Sequence, residues 1–104
     1  MEVKSEIINN TIVVQIEGRI DSVNSAELDV KLDEVLKNDI NNIIVDCEKL
    51  TYISSSGLRS FLVLQKKITA KSGSLTIQNM HPDIYKIFEI TGFSRLMNII
   101  TCDI

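Results

Sequence analysis

The stretch Tyr52-Ile53-Ser54-Ser55-Ser56-Gly57-Leu58-Arg59 decides how this chain is read. It sets three serines between an apolar run and a helix-like pattern, in which Leu58, Phe61, Leu62, Gln65 and Ile68 share one stripe. Serines in that place can cap the helix, attack a substrate or accept a phosphate. One hydroxyl is enough for a cap, because a single side-chain oxygen satisfies one unpaired N–H of the first turn. Spacing alone leaves open which of Ser54, Ser55 and Ser56 does so, and capping does not explain three.

The segments on either side supply the frame. Upstream, Ile43-Ile44-Val45-Asp46-Cys47 is a short, branched, apolar run that predicts a buried strand. Before it, Leu28, Leu32, Val35 and Leu36 recur at helical spacing. That helix is opened by Asn24 and Glu27 as a capping box, with Ser22 as a rival cap, and closed by Asn38-Asp39 and Asn41-Asn42. At the start, Val3–Ile8 and Thr11–Glu17 flank the turn pair Asn9-Asn10 as a hairpin, and Gly18 ends its second strand.

Downstream, the serine helix closes near Ser72-Gly73, where Gly73 offers a left-handed cap, and Ser74–Gln78 forms a strand. Pro82 opens a helix carrying Ile84, Ile87 and Phe88, Gly92 stops it with Phe93 over its end, and Met97–Thr101 is a last strand. The order β-β-α-β-α-β-α-β predicts an α/β fold, a mixed sheet with helices packed on it and right-handed crossovers between parallel strands. At 104 residues, with no linker, repeat or low-complexity stretch, residues 1–104 read as a single domain.

Several function classes are disfavoured. Lys plus Arg number 11 against 14 for Asp plus Glu, a net charge of -3, where a nucleic-acid binder carries a basic patch or stripe. A serine nucleophile needs a base, but His81 is the chain's only histidine and sits before Pro82 as a helix cap would. The nucleophile elbow G-x-S-x-G fails at Ile53, and the serines lack the glycine spacing and lysine of a phosphate-binding loop. Cys47 and Cys102 have no C-x-x-C spacing and read as buried free thiols, and no cofactor or metal motif is visible. Met1–Glu6 is charged, unlike a signal peptide, and no apolar run approaches the ~18 residues needed to span a bilayer. These features predict a cytoplasmic protein that engages no membrane and no nucleic acid.

Three stretches carry a resemblance. Tyr52–Arg59 is similar to the signature of STAS-domain proteins, specifically bacterial anti-sigma factor antagonists, where Asp-Ser-Ser-Gly-Leu or Ser-Ser-Ala-Gly-Leu follows an apolar strand. Gly18-Arg19-Ile20-Asp21-Ser22 resembles the family's Gly-(Arg/Glu)-Leu-Asp segment, and Ile90-Thr91-Gly92-Phe93 its Thr-Gly-Leu helix ending. They occur in the family's order and span nearly the whole chain.

The resemblance implies the STAS fold and a binding module without catalysis. In that family the unphosphorylated antagonist binds an anti-sigma factor that is also a serine kinase, which releases the sigma factor. The kinase phosphorylates the antagonist, and a PPM-type phosphatase reverses the modification. Carried onto this chain, the acceptor is Ser55, and Asp21 lies at the kinase interface with Ser54, Ser56, Gly57 and Arg59. Apart from the resemblance, Asp21 is a loop aspartate, either solvated or a local turn acceptor. The chain departs from the family pattern in two places: Ser54 stands where several members have Asp, which makes it a rival acceptor to Ser55, and the chain stops after the last strand where many continue into a helix. The alternative job for the same fold is a scaffold in another signalling assembly or in a transporter accessory complex.

Overall fold

A computed structural model describes residues 1–102. Strands β1 (Glu2–Ile8) and β2 (Thr11–Ile20) form the hairpin, in register from Glu2 opposite Glu17 to Ile8 opposite Thr11. Asn9 and Asn10 both have positive φ, 48° and 61°. The type I′ two-residue hairpin turn needs that sign at both positions, and Asn tolerates it better than most residues.

Gly18 does not end β2. Its φ of +94° bends the strand at a bulge, and pairing resumes through Ile20. The bend gives β2 two parallel neighbours on one side. Ile12–Gln15 pair with β3 (Asn42–Asp46), and Gly18–Ile20 pair with a short strand, β4 (Leu50–Ile53). Beyond β3 lie β5 (Ser74–Met80) and β6 (Asn98–Thr101), both parallel, so the main sheet runs β1-β2-β3-β5-β6. The expected order is present, with β4 as an addition between β3 and the serines.

Register explains the core. Ile12, Ile43 and Leu75 are cross-strand neighbours, as are Val14, Val45 and Ile77, and all six are buried. The alternate row, Val13, Ile44 and Thr76, is half-buried on the opposite face. Helices α1 (Ser25–Leu36), α2 (Ser55–Ala70) and α3 (Pro82–Ile90) complete that core. Leu28 and Leu32 enter it from α1, Leu58, Phe61, Leu64 and Ile68 from α2, and Ile84 and Phe88 from α3. The α2 stripe thus runs through Leu64, while Leu62 and Gln65 lie at its half-buried margin. Phe61 meets Phe88 with ring centroids 5.7 Å apart and planes tilted by 50°, a favourable aromatic arrangement that ties α2 to α3.

The end of α2 differs from expectation in one residue. Ser72, with φ 57°, takes the left-handed position, and the Gly73 N–H donates to the Ile68 carbonyl. Gly73 is needed for room instead: a Cβ there would lie 2.4 Å from the Asn41 carbonyl oxygen. Gly92 stops α3 in the left-handed region, and a 3-10 turn, Phe93–Arg95, leads to β6. Both cysteines are free. Cys47 is buried, and burial, aided by the Asp46 charge, pushes its thiol up to about 12. Cys102, expected to be buried, is half-buried at the sheet edge beyond β6. No helix among the described residues is long and apolar enough to cross a membrane.

Candidate functional site

The three serines begin where β4 ends. The Ser54 N–H donates to the Ile20 carbonyl at 2.9 Å, the last contact between the end of β2 and the β4 segment. Ser54 keeps an extended backbone, and its Oγ accepts the Gly57 N–H at 3.2 Å while its carbonyl accepts the Leu58 N–H. Ser54 is therefore the cap of α2. Its hydroxyl also shares a 2.9 Å hydrogen bond with the Ser56 hydroxyl, and both residues are half-buried. The buried Ser60 hydroxyl donates to the Ser56 carbonyl.

Ser55 differs from its neighbours. It is the first helical residue and is exposed, and its hydroxyl makes no hydrogen bond among the described residues. Its own N–H and that of Ser56 belong to the first-turn donors for which a helix has no internal acceptor, at the positive end of the helix dipole.

Gly57 follows because nothing larger fits. A Cβ at this buried position would lie 2.7 Å from both Ile20 Cγ2 and Ile53 Cγ1. The start of α2 rests directly on the side chains that close β2 and β4. Arg59, next on the helix surface, is exposed and forms no ion pair among the described residues.

The same β2–β4 pairing sets Asp21 beside the serines, since Asp21 directly follows Ile20. Asp21 Oδ1 accepts the N–H groups of Val23 and Asn24 at 2.9 and 3.0 Å. Asn24 Oδ1 accepts the Asp21 N–H at 2.9 Å in return. This is a reciprocal capping box. It joins Asp21 and Asn24, three residues earlier than the expected Asn24–Glu27 pair, and Asn24 makes no forward side-chain cap to α1. Asp21 is half-buried and is the local turn acceptor of the two readings open from sequence.

One feature of the site has no local sequence signal: the Arg19 guanidinium lies 4.2 Å from the Tyr52 ring centroid. These residues are partners across β2 and β4, a pairing that requires β4 to be recognised first. His81 stands apart, capping α3 by position with its Nε2 against the Glu48 carbonyl, and is not a hydrogen-bond partner of the serines.

Comparison with known proteins agrees with this architecture. The STAS domain family matches residues 2–101. BtrV of Bordetella bronchiseptica, provisionally named an anti-sigma factor antagonist, is 28% identical over 99 residues, covering 95% of this chain and 85% of BtrV. The anti-sigma-B factor antagonist of Staphylococcus aureus is 29% identical over 86 residues, covering 83% of this chain and 80% of that protein. Among solved structures, the anti-sigma factor antagonist SpoIIAA in its unphosphorylated form superposes with a TM-score of 0.75 at 19% identity, covering 99% of this chain and 90% of that one. The Bacillus SpoIIAA in its phosphorylated form gives 0.73 at 22% identity, covering 94% and 90%. At such identities the structural likeness speaks to the fold alone. With its sequence matched from residue 2 to residue 101, the chain belongs to the STAS domain family.

Proposed function

We propose that this chain is an anti-sigma factor antagonist, a cytoplasmic binding module of one STAS domain over residues 1–104 that is switched by phosphorylation at Ser55. Unmodified, it binds an anti-sigma factor that is also a serine kinase and thereby releases the sigma factor. The kinase phosphorylates Ser55, which ends the interaction, and a PPM-type phosphatase restores it. The relatives named as anti-sigma factor antagonists support the partner class, and SpoIIAA, known in phosphorylated and unphosphorylated forms, supports the switch.

The observation that carries the reading is the division of labour among the serines. Ser54 caps, Ser56 is tied to Ser54, and Ser55 is exposed with an unengaged hydroxyl. A phosphate there adds about -1.5 to -2 of charge at the positive end of α2, which the helix tolerates. A partner surface fitted to a neutral hydroxyl does not tolerate it, through repulsion and desolvation. Around Ser55, Asp21 and Arg59 supply charge to the interface, and Ser54, Ser56 and Gly57 hold its shape. The module does no chemistry of its own.

Incubation with the purified kinase and ATP, followed by tandem mass spectrometry, tests the assignment. One phosphate on Ser55 is expected. A phosphate on Ser54 or Ser56 would show that the exposed hydroxyl is not the acceptor and would overturn it.

A further inference from the structure

Asn24 is a good capping residue that does not cap its own helix. It occupies the position before α1 with a helical backbone, φ -101° and ψ -1°, and its side chain turns back along the chain. There Oδ1 accepts the Asp21 N–H at 2.9 Å, and Nδ2 donates to the Arg19 carbonyl at 2.8 Å. One planar amide thus spans the backbone on both sides of Ile20, the residue whose carbonyl receives the Ser54 N–H. A capping box alone uses only the first of these bonds. The second, to Arg19, does nothing for α1.

Asp21 is fixed from both directions. Its N–H is held by Asn24, its carbonyl accepts the Ser25 N–H, and its Oδ1 is occupied by Val23 and Asn24. Its Oδ2 makes no hydrogen bond among the described residues. The carboxylate therefore has one oxygen fastened to the loop and one left over, on a residue adjoining the start of α2.

We infer that Asn24 is a positioning residue for the partner-binding surface. It locks the Arg19–Asp21 backbone against the Ser54 end of β4, so that the free Asp21 oxygen is held beside the start of α2 and offered, in a preset position, to a cationic or hydrogen-bond-donating group of the kinase. This inference rests on the proposed function and adds a residue that never touches the partner. A preset geometry matters because ordering a loop at the moment of binding lowers affinity.

The test measures calorimetric binding to the serine kinase recovered by pull-down on the unmodified chain, at a temperature where each variant is folded by circular dichroism. Asn24→Ala removes both amide bonds, and Asn24→Ser keeps a short acceptor near Asp21 but cannot reach the Arg19 carbonyl. Asn24→Ala is expected to weaken binding about tenfold or more, and Asn24→Ser by less. In an Asp21→Ala background the further effect of Asn24→Ala should vanish, because the residue acts through Asp21. Amide hydrogen exchange at Asp21, read by NMR in the free protein, should accelerate in Asn24→Ala. If Asn24→Ala melts earlier yet binds as tightly as wild type while Asp21→Asn loses affinity, Asn24 is only a cap and the inference is overturned with the switch reading intact. If Asn24→Ala weakens binding equally with and without Asp21, positioning through Asp21 is also overturned. Should the wild-type chain capture no such kinase, the proposed function itself fails and the inference falls with it.

Discussion

Two helices of this protein start side by side on the β2–β4 ladder and are capped in different ways. At α2 the capping is done by Ser54, one residue before Ser55, so the exposed Ser55 hydroxyl has no structural duty. At the approach to α1, Asp21 itself accepts two backbone N–H groups while also being the candidate contact residue. Cap and contact are separate residues in the first case and the same residue in the second. A group meant to be modified and restored is best placed where its chemistry does not disturb the fold. A group that only has to keep its position gains from being built into the fold.

The largest expected effect falls on the element the two starts share. Gly57→Val would drive a branched side chain into Ile20 and Ile53, each already 2.7 Å from the position of a single Cβ. Overpacking of this kind costs about 1–3 kcal/mol and sometimes more. The gain from replacing a helical glycine is at most about 1 kcal/mol, and a branched residue realises only part of it. A urea titration should show the loss as a lower midpoint. An unchanged midpoint would mean that α2 can shift off the ladder, and the fixed spacing of the two starts would be lost as an explanation.

Next in size is Asp21, where the overlap of roles can be pulled apart by two substitutions. Asp21→Ala removes the acceptor of two N–H groups and should cost about 0.5–2 kcal/mol. For a domain of this size each 1 kcal/mol is roughly 4–8 °C in melting temperature. Asp21→Asn keeps an equivalent cap and should melt within a few degrees of wild type, since Asn and Asp cap about equally well. Both should bind the kinase more weakly if the negative charge is what the partner reads. Equal binding by Asp21→Asn and wild type would assign Asp21 to the loop alone.

Much of this was legible in advance, for reasons particular residues make plain. The hairpin follows from Asn9-Asn10, because few other residues accept two successive positive φ values. The first two helix starts are marked by short polar residues before apolar stripes, and the third by Pro82. The exceptions are long-range. β4 is only Leu50–Ile53, with Thr51 and Tyr52 exposed, and it becomes a strand because the bend at Gly18 turns the end of β2 toward it. No local pattern in four residues announces that. The capping box lies three residues before the position expected from sequence, since Asp21-x-x-Asn24 and Asn24-x-x-Glu27 have the same spacing and only the fold chooses between them. Cys102 was expected in the core as cysteines usually are, but the sheet edge leaves it half-buried. Which serine caps was undecidable from spacing, and it is settled by the Ser54–Ile20 backbone bond, which fixes where the strand stops.

That bond makes Ser54→Ala the next prediction. Losing the Oγ that accepts the Gly57 N–H should cost about 1 kcal/mol, toward the middle of the usual range for such caps. It also releases Ser56, whose hydroxyl is paired with Ser54. Ser56 should then become a minor phosphate acceptor beside Ser55, visible in the fragment spectra of the kinase-treated variant. Modification confined to Ser55 would mean that exposure, and not the pairing of its neighbours, selects the acceptor.

The smallest effect on stability, and the sharpest effect on function, belongs to Ser55. Ser55→Ala removes a hydroxyl with no hydrogen bond among the described residues, at an exposed position, so its melting temperature should match wild type. It should bind the kinase normally and resist phosphorylation. Ser55→Asp places a carboxylate in the first turn of α2, where the helix dipole favours it by about 0.3–1 kcal/mol, so the fold should be as stable or slightly more so. The same charge should weaken kinase binding, by less than a true phosphate because it carries less charge and fewer acceptor oxygens. Calorimetric titration beside thermal melts reads both quantities on the same samples. A variant that is more stable and binds less is the signature of a site kept free of structural work. A clear loss of stability in Ser55→Ala would show that Ser55 does structural work after all, and the contrast between the two helix starts would disappear. Tight binding by Ser55→Asp, with failure of Ser55→Ala, would instead sink the phosphorylation switch while leaving the capping assignments as they stand.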